Sequence, residues 1–204
     1  QLGSKELHKM LKRVVDRSFN RVSIDSDTST SDTVIILANG LSGPVDSEKS
    51  ETAFTNSAVQ LAKIIAHDGE GSTKLIELTV SGAESQQMAL QIAKSIINSP
   101  LVKTAIHGAD PSWGRFVMAV GKVFDYPVLL DDLSIHFGKE GSQRQKVNAE
   151  SLDANTVNLG AISKLLNKKE VHVEVVVGNG ECSETVWGCD LSKGYIEENA
   201  FYTT

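Results

Sequence analysis

SFNRVSIDSDTSTSDTVIILANG, residues 18–40, sets two apolar runs on either side of an eight-residue segment made only of Asp, Ser and Thr. The first run places Val22 and Ile24 on one side, which suits a half-buried strand. The second, Val34-Ile35-Ile36-Leu37, is continuous and suits a strand buried on both faces. Asn39-Gly40 then supplies turn chemistry. The expectation is two buried strands presenting three carboxylates and five hydroxyls. Such a loop can be wholly structural, its side chains satisfying its own backbone. Two chemical readings stand beside that one. Asp25-x-Asp27-x-Ser29 imitates the opening of a calcium loop, but Thr30 stands where that loop needs Gly and Ile36 where it needs Glu. Val-Ser-Ile-Asp-Ser-Asp-Thr resembles the strand and DxDxT motif of haloacid dehalogenase-type phosphohydrolases, which would make Asp25 a nucleophile and Asp27 a general acid. The Lys and paired acids expected further along have no counterpart beyond Asp131-Asp132.

Working outward, the amino-terminal side offers a helix capped by Ser4. Leu7, Leu11, Val14, Val15 and Phe19 fall at helical spacing. On the other side a second helix is expected over 52–67, with Phe54, Ala58, Leu61, Ala62 and Ile65 buried and Asp68-Gly69 as its stop. Gly69-Glu70-Gly71-Ser72-Thr73-Lys74 then leads into a strand over 75–80. A carboxylate between two glycines is exposed, and it is either a turn residue in water or a group held at a site mouth to meet an amine. A third helix is expected over 83–97. Asn98-Ser99-Pro100 ends it and marks the best domain boundary.

Beyond that boundary, 101–106 reads as a strand. Asp110-Pro111 reads as a helix start, with Trp113, Phe116, Val117 and Val120 as the apolar face. His107 and Arg115 are placed either to bind an anion there or to pair with Asp110 and brace the loop. Short strands are expected at 128–130 and 133–137, a polar loop over 138–148 and a helix over 157–166. Val171, Val173, Val175 and Val177 alternate, and Gly178-Asn179-Gly180 suggests a hairpin into 181–189. The tail GYIEENAFYTT closes the sequence.

Composition bounds the function classes. The 204 residues, 40% hydrophobic, suffice for one large or two small cores. With 26 acidic and 20 basic residues the net charge is −6. There is no basic run to engage nucleic acid or a membrane surface. No apolar run approaches the roughly 20 residues that span a bilayer. Cys182 and Cys189 read as reduced thiols rather than a disulfide scaffold or a zinc site. Opening on Gln1-Leu2-Gly3, the chain reads as a processed product or a fragment whose partner carries essential residues.

Four collinear segments carry a resemblance across nearly the whole chain: SFNRVSIDSDTSTSDT (18–33), DGEGSTK (68–74), HGADPSWGR (107–115) and ENAFYTT (198–204). They resemble segments of the bifunctional ornithine/glutamate N-acetyltransferases of arginine biosynthesis. Ser26, Ser31 and Ser112 depart from the family's usual Gly, Asn and Asn. The resemblance implies the second (β) chain of a precursor that cuts itself before a threonine, with the nucleophile Thr upstream of this chain and no catalytic residue on it. It implies oxyanion donors and a substrate-binding Lys on the α chain, and an (αβ)2 heterotetramer or higher oligomer. Alone, the chain would be inactive. It implies acetyl transfer from N2-acetylornithine to glutamate through an acetyl-threonine, with acetyl-CoA a second donor in some members, no cofactor and no metal. Glu70, Asn199 and Thr204 carry over as substrate-binding residues. The setting is cytoplasmic, or the mitochondrial matrix in a eukaryote. The fold implied is an α/β sandwich portion of the N-terminal-nucleophile type (1–98), a smaller α/β domain (99–190) and a tail (191–204) returning to the site. An inactive structural subunit is the non-enzymatic alternative.

Overall fold

The computed structural model describes residues 2–152 and 157–201. In chain order these form α1 (Ser4–Asp16), β1 (Val22–Ser23), α2 (Ser47–His67), β2 (Leu75–Ala83), α3 (Gln86–Ile97), α4 (Pro100–His107), α5 (Gly114–Gly121), β3 (Ser134–Phe137), β4 (Gln145–Asn148), α6 (Leu159–Leu166), β5 (Glu170–Val176), β6 (Cys182–Cys189) and α7 (Lys193–Phe201). The α/β class read from the sequence is borne out. One sheet runs β1-β6-β2-β5-β3-β4. β2 is parallel to β5 and antiparallel to β6, and β1 is parallel to β6. The expected boundary at 98/99 falls in the turn between α3 and α4, and strands from both sides of it share this sheet.

Period-two alternation puts Ile76, Leu78 and Val80 on the same face as Val171, Val173, Val175, Ile135, Phe137 and Val186. There they meet Met88, Ala89, Ile92 and Ile96 of α3, Phe116 of α5 and Ile162 of α6. Burying one such side chain contributes about 1.5–3 kcal/mol. A one-residue slip of β5 would exchange its buried valines for Glu170, His172 and Glu174, so the register is fixed. The opposite face carries Glu77, Thr79, Ser81 and His172. Its corner at Leu75 and Trp187 is covered by Ala62 and Ala66 of α2, and Lys63 of the same helix pairs with Glu77.

Several expectations are corrected. Residues 34–37 form no strand: Ile35 is 71% and Leu37 90% exposed, because no strand of this sheet runs beside them. The hairpin at 178–180 is replaced by a crossing. β2 lies between β5 and β6, and the connection passes over the end of β2, where Gly180 donates its N–H to Gly82 O at 2.9 Å. A Cβ on Gly180 would stand 2.1 Å from the Ala83 carbonyl oxygen, so glycine serves a close approach there rather than a tight turn. Residues 101–106 are helical, since Pro100 opens α4 and Val102, Ala105 and Ile106 bury one stripe. α5 begins at Gly114 rather than after Asp110, which pairs instead with Arg115 at 3.2 Å. α2 starts earlier than expected, capped by Asp46, whose carboxylate accepts from the N–H groups of Glu48 and Lys49. Its buried stripe is the narrow Ala58-Ala62-Ala66 row, leaving Phe54, Leu61 and Ile65 outside. Gly3, not Ser4, caps α1. The segment 128–130 forms no strand and leads into the 3-10 turn Leu130–Asp132, while the supposed loop over 138–148 contains β4.

Candidate functional site

The site lies where β1 and β6 end and β2 begins. β1 and β6 are parallel, with Ser23 beside Gly188, so the chain leaves both strands side by side at Ile24 and Asp190. β2 is antiparallel to β6, with Leu75 beside Cys189, so the loop 68–74 enters at the same point. The acidic segment, the Gly-Glu-Gly loop and the carboxy-terminal arm therefore converge.

Asp190 anchors them. Its side chain is wholly buried. Oδ1 accepts from the Thr73 N–H at 2.7 Å and the Lys74 N–H at 2.8 Å. Oδ2 accepts from Thr73 Oγ1 at 2.5 Å and lies 2.6 Å from His107 Nδ1. Burial pushes the Asp190 carboxyl up, but the donors of Thr73, His107 and Lys74 outweigh it and hold it below the usual carboxylate range. An ionised carboxylate only accepts, which places the His107 proton on Nδ1. Lys74 is buried beneath the loop, and its Nζ donates to the carbonyls of Ile106, His107 and Leu166 at 2.7, 3.0 and 2.8 Å. Burial pulls its pKa down, partly offset by Asp190. Lys103, only 4% exposed, donates to the Cys189 carbonyl.

The arm leaves Asp190 and crosses the Gly-Glu-Gly loop. Ser192 Oγ donates to the Gly71 carbonyl and accepts from the Gly194 N–H. α7 buries no side chain, so polar contacts hold it. Tyr195 donates its hydroxyl to Asp25 at 3.0 Å. Asn199 donates its amide to Glu70 at 2.6 Å and to the Tyr195 carbonyl at 2.9 Å. The Tyr195 phenol is pushed up by burial, by its bond to Asp25 and by the charges of Asp25, Glu70 and Asp27. Asp25 touches the phenol, and the charges of Glu70 and Asp27 act on it as well, so the local field is negative. Among the described residues no group of three His, Cys, Asp or Glu side chains is placed to hold a metal, and no helix is long and apolar enough to cross a membrane.

Two of the three residues singled out from the sequence are brought together: Glu70 is exposed and in contact with Asn199, across 129 positions of chain. Thr204 lies outside the described residues. His107 and Arg115 part company, Arg115 bracing Asp110 while His107 joins Asp190. The sequence reading passed over Asp190, Ser192 and Tyr195. The one available signal was positional, since Asp190 directly follows β6 much as Asp25 lies two residues beyond β1.

Asp190 gives a pH prediction. A carboxyl whose folded pKa is depressed adds stability that is fully present above its unfolded value of about 3.9 and fades as pH falls through the folded value. The melting temperature of Asp190→Asn should lie below wild type by a constant gap from pH 7 to about 5, closing toward pH 3. A gap unchanged at pH 3 would show that ionisation of Asp190 contributes nothing.

A family model described as the ArgJ family matches residues 1–204. Over its whole length the chain is 42% identical to glutamate N-acetyltransferase Oat2 of Streptomyces clavuligerus, covering 52% of it. It is 46% identical to arginine biosynthesis bifunctional protein ArgJ 2 of Clostridium acetobutylicum over 97% of the chain, covering 50% of that protein. The chain thus spans about half the length of the curated relatives it matches. Among solved structures, the crystal structure of arginine biosynthesis bifunctional protein ArgJ from Bacillus halodurans superposes with a TM-score of 0.86 at 33% identity, covering 99% of this chain and 95% of that one. The α/β fold of the N-terminal-nucleophile type expected from the sequence therefore stands, and the match along all 204 residues replaces the phosphohydrolase alternative. This chain belongs to the ArgJ family.

Proposed function

We propose that this chain is one half of a glutamate N-acetyltransferase that moves an acetyl group from N2-acetylornithine to glutamate. The observation that carries the reading is the contact of Glu70 with Asn199, next to the Tyr195–Asp25 pair. Glu70, Asn199 and Thr204 bind substrate, and the carboxylates suit an ammonium group. The nucleophile is a threonine outside this chain. Its hydroxyl attacks the acetyl carbonyl of N2-acetylornithine, its own amino group takes the hydroxyl proton, and that proton passes to the departing amine of ornithine. The amine of glutamate then attacks the acetyl-threonine ester and restores the hydroxyl. The word "bifunctional" in relatives' names motivates acetyl-CoA as a second donor to be tried.

The partner in this reading is the α chain from the half of the relatives that this chain does not cover, in an (αβ)2 or higher assembly. Two observations support it. The chain covers 95% of the Bacillus halodurans chain but only half of the curated proteins. The apolar run at 34–37, unpaired and exposed, lies in a segment whose Leu41 is exposed as well, a cost in water that a partner surface removes.

Intact-mass spectrometry of the complete protein with N2-acetylornithine tests the mechanism. The expected result is an acetyl adduct, discharged by glutamate, on a chain that begins with Thr. Glu70→Ala should raise KM about tenfold or more, with kcat far less affected, because an exposed carboxylate binds substrate without supporting the fold. Absence of any adduct together with an unchanged KM would refute the reading.

A further inference from the structure

We infer that Asp190 is a positioning residue for substrate binding, the joint that locks the Gly-Glu-Gly loop and the carboxy-terminal arm into one unit. The inference rests on the reading of Glu70 and Asn199 as substrate-binding residues. Neither group has a rigid support of its own. Glu70 sits on an exposed loop between two glycines, and Asn199 sits on a helix with no buried side chain. The wholly buried group at the base of both is Asp190. It takes the backbone N–H groups of Thr73 and Lys74, which fixes where the loop enters β2. It is also the first residue beyond β6, so its Cα sets the origin of the arm. Two residues on, Ser192 closes the ring by donating to Gly71, inside the loop.

The ring is short: Asp190 to Thr73 through hydrogen bonds, Thr73 back to Gly71 along the chain, Gly71 to Ser192 through the serine hydroxyl, and Ser192 back to Asp190 along the chain. Glu70 leaves from one side of it and Asn199 from the other. His107 enters through Nδ1 and ties the ring to the end of α4, so it is referred to the helical layer rather than to solvent. Loss of Asp190 removes four hydrogen-bond partners at once and lets loop and arm drift independently. That lowers the fraction of molecules presenting Glu70 and Asn199 at substrate spacing, which reads as weaker binding rather than slower chemistry.

The test uses the complete protein and three variants: Asp190→Ala, Asp190→Asn and Thr73→Val. Asp190→Ala should raise KM for N2-acetylornithine and for glutamate about tenfold, with kcat within about threefold of wild type. Asp190→Asn keeps an oxygen for the two backbone N–H groups and should rescue most of that loss. Thr73→Val removes one of the two hydrogen bonds that join Thr73 to the carboxylate and keeps the backbone one, and should raise KM by a smaller factor. Hydrogen exchange supplies a readout independent of activity: in Asp190→Ala, residues 69–74 and 191–201 should exchange faster together while β5 stays protected. Thr73→Val and Asp190→Asn carry the test where Asp190→Ala does not fold. A fall in kcat at unchanged KM, the signature of a smaller folded fraction, would overturn the inference, as would faster exchange in only one of the two segments. If wild type transfers no acetyl group but the joint loosening is seen, the proposed function fails and the coupling of loop and arm stands.

Discussion

Replacing Lys74 by methionine should lower the melting temperature by about 10 °C, whereas the same change at Lys103 should move it by less than about 3 °C. Both lysines are buried, and burial lowers the pKa of both. They differ in what the ammonium holds. Lys74 Nζ uses all three donors on carbonyls, those of Ile106 and His107 in α4 and of Leu166 in α6. These are helix-end carbonyls, which lack an intrahelical partner and must be met from outside. Ile106 O has another donor in the Ala109 N–H, so two carbonyls bear most of the loss. Hydrogen bonds to a charged group are worth about 1.5–3 kcal/mol each, and removing the buried charge returns part of its desolvation cost. The net is about 3 kcal/mol, and each kcal/mol shifts the melting point of a domain this size by about 2–4 °C. Lys103 holds one carbonyl, that of Cys189, with the Cys189 sulfur 3.8 Å away. Its ammonium is costly to bury and returns little, so methionine there is close to neutral. Thermal unfolding of the two variants side by side decides the matter. Equal losses would mean that burial of the lysine stem, not the carbonyls it satisfies, sets the effect.

Lys74 also shows where the sequence was silent. Nothing near residue 74 announces carbonyls at 106, 107 and 166, because the contact exists only once β2, α4 and α6 have packed. The readable parts were those decided locally or by period. The alternating valines of β5 and the stop of α2 at Asp68 could be read because each follows from residues within one or two turns of chain. The failures have a common cause. Residues 34–37 and 101–106 are both short, largely apolar segments, the second interrupted by Lys103 and Thr104, for which strand and helix patterns coincide. The first is solvent-exposed and the second is a helix opened by Pro100. At 178–180 the glycines looked like a turn, but the close passage over Ala83 was the reason for them, and that neighbour lies almost a hundred residues away in sequence. The site divides in the same way. Glu70 stood out because of its flanking glycines, and Asn199 only through family resemblance. Asp190, which joins their supports, had no local mark beyond following a strand.

Gly71→Ala should lower kcat/KM by about a hundredfold while leaving the sheet and its helices intact. Gly71 has φ +62°, and a Cβ built on it would stand 2.2 Å from the Tyr195 backbone nitrogen and 2.3 Å from the Gly194 carbonyl carbon. Real Cβ atoms do not approach backbone so closely, so the loop and α7 must move apart. Both elements carry proposed substrate contacts, Glu70 on one and Asn199 on the other, joined at 2.6 Å. A displacement of about 1 Å between groups that must act together is enough for a hundredfold loss. The left-handed backbone alone also carries a cost, about 1–3 kcal/mol for a residue with a Cβ, and Gly141→Ala separates the two effects. Gly141 has φ +76° and open space where its Cβ would go, in the connection between β3 and β4. It should show similar strain, a similar small fall in melting temperature and unchanged kcat/KM. If Gly141→Ala lost activity as Gly71→Ala does, backbone strain and not the seat of α7 would be responsible. If Gly71→Ala kept full activity, the contact between loop and arm would have no part in catalysis. The expected divergence follows from the lack of any buried side chain on α7: the helix stays over the loop through its seat on Gly71 and the polar contacts of Ser192, Tyr195 and Asn199, and a Cβ on Gly71 removes the seat.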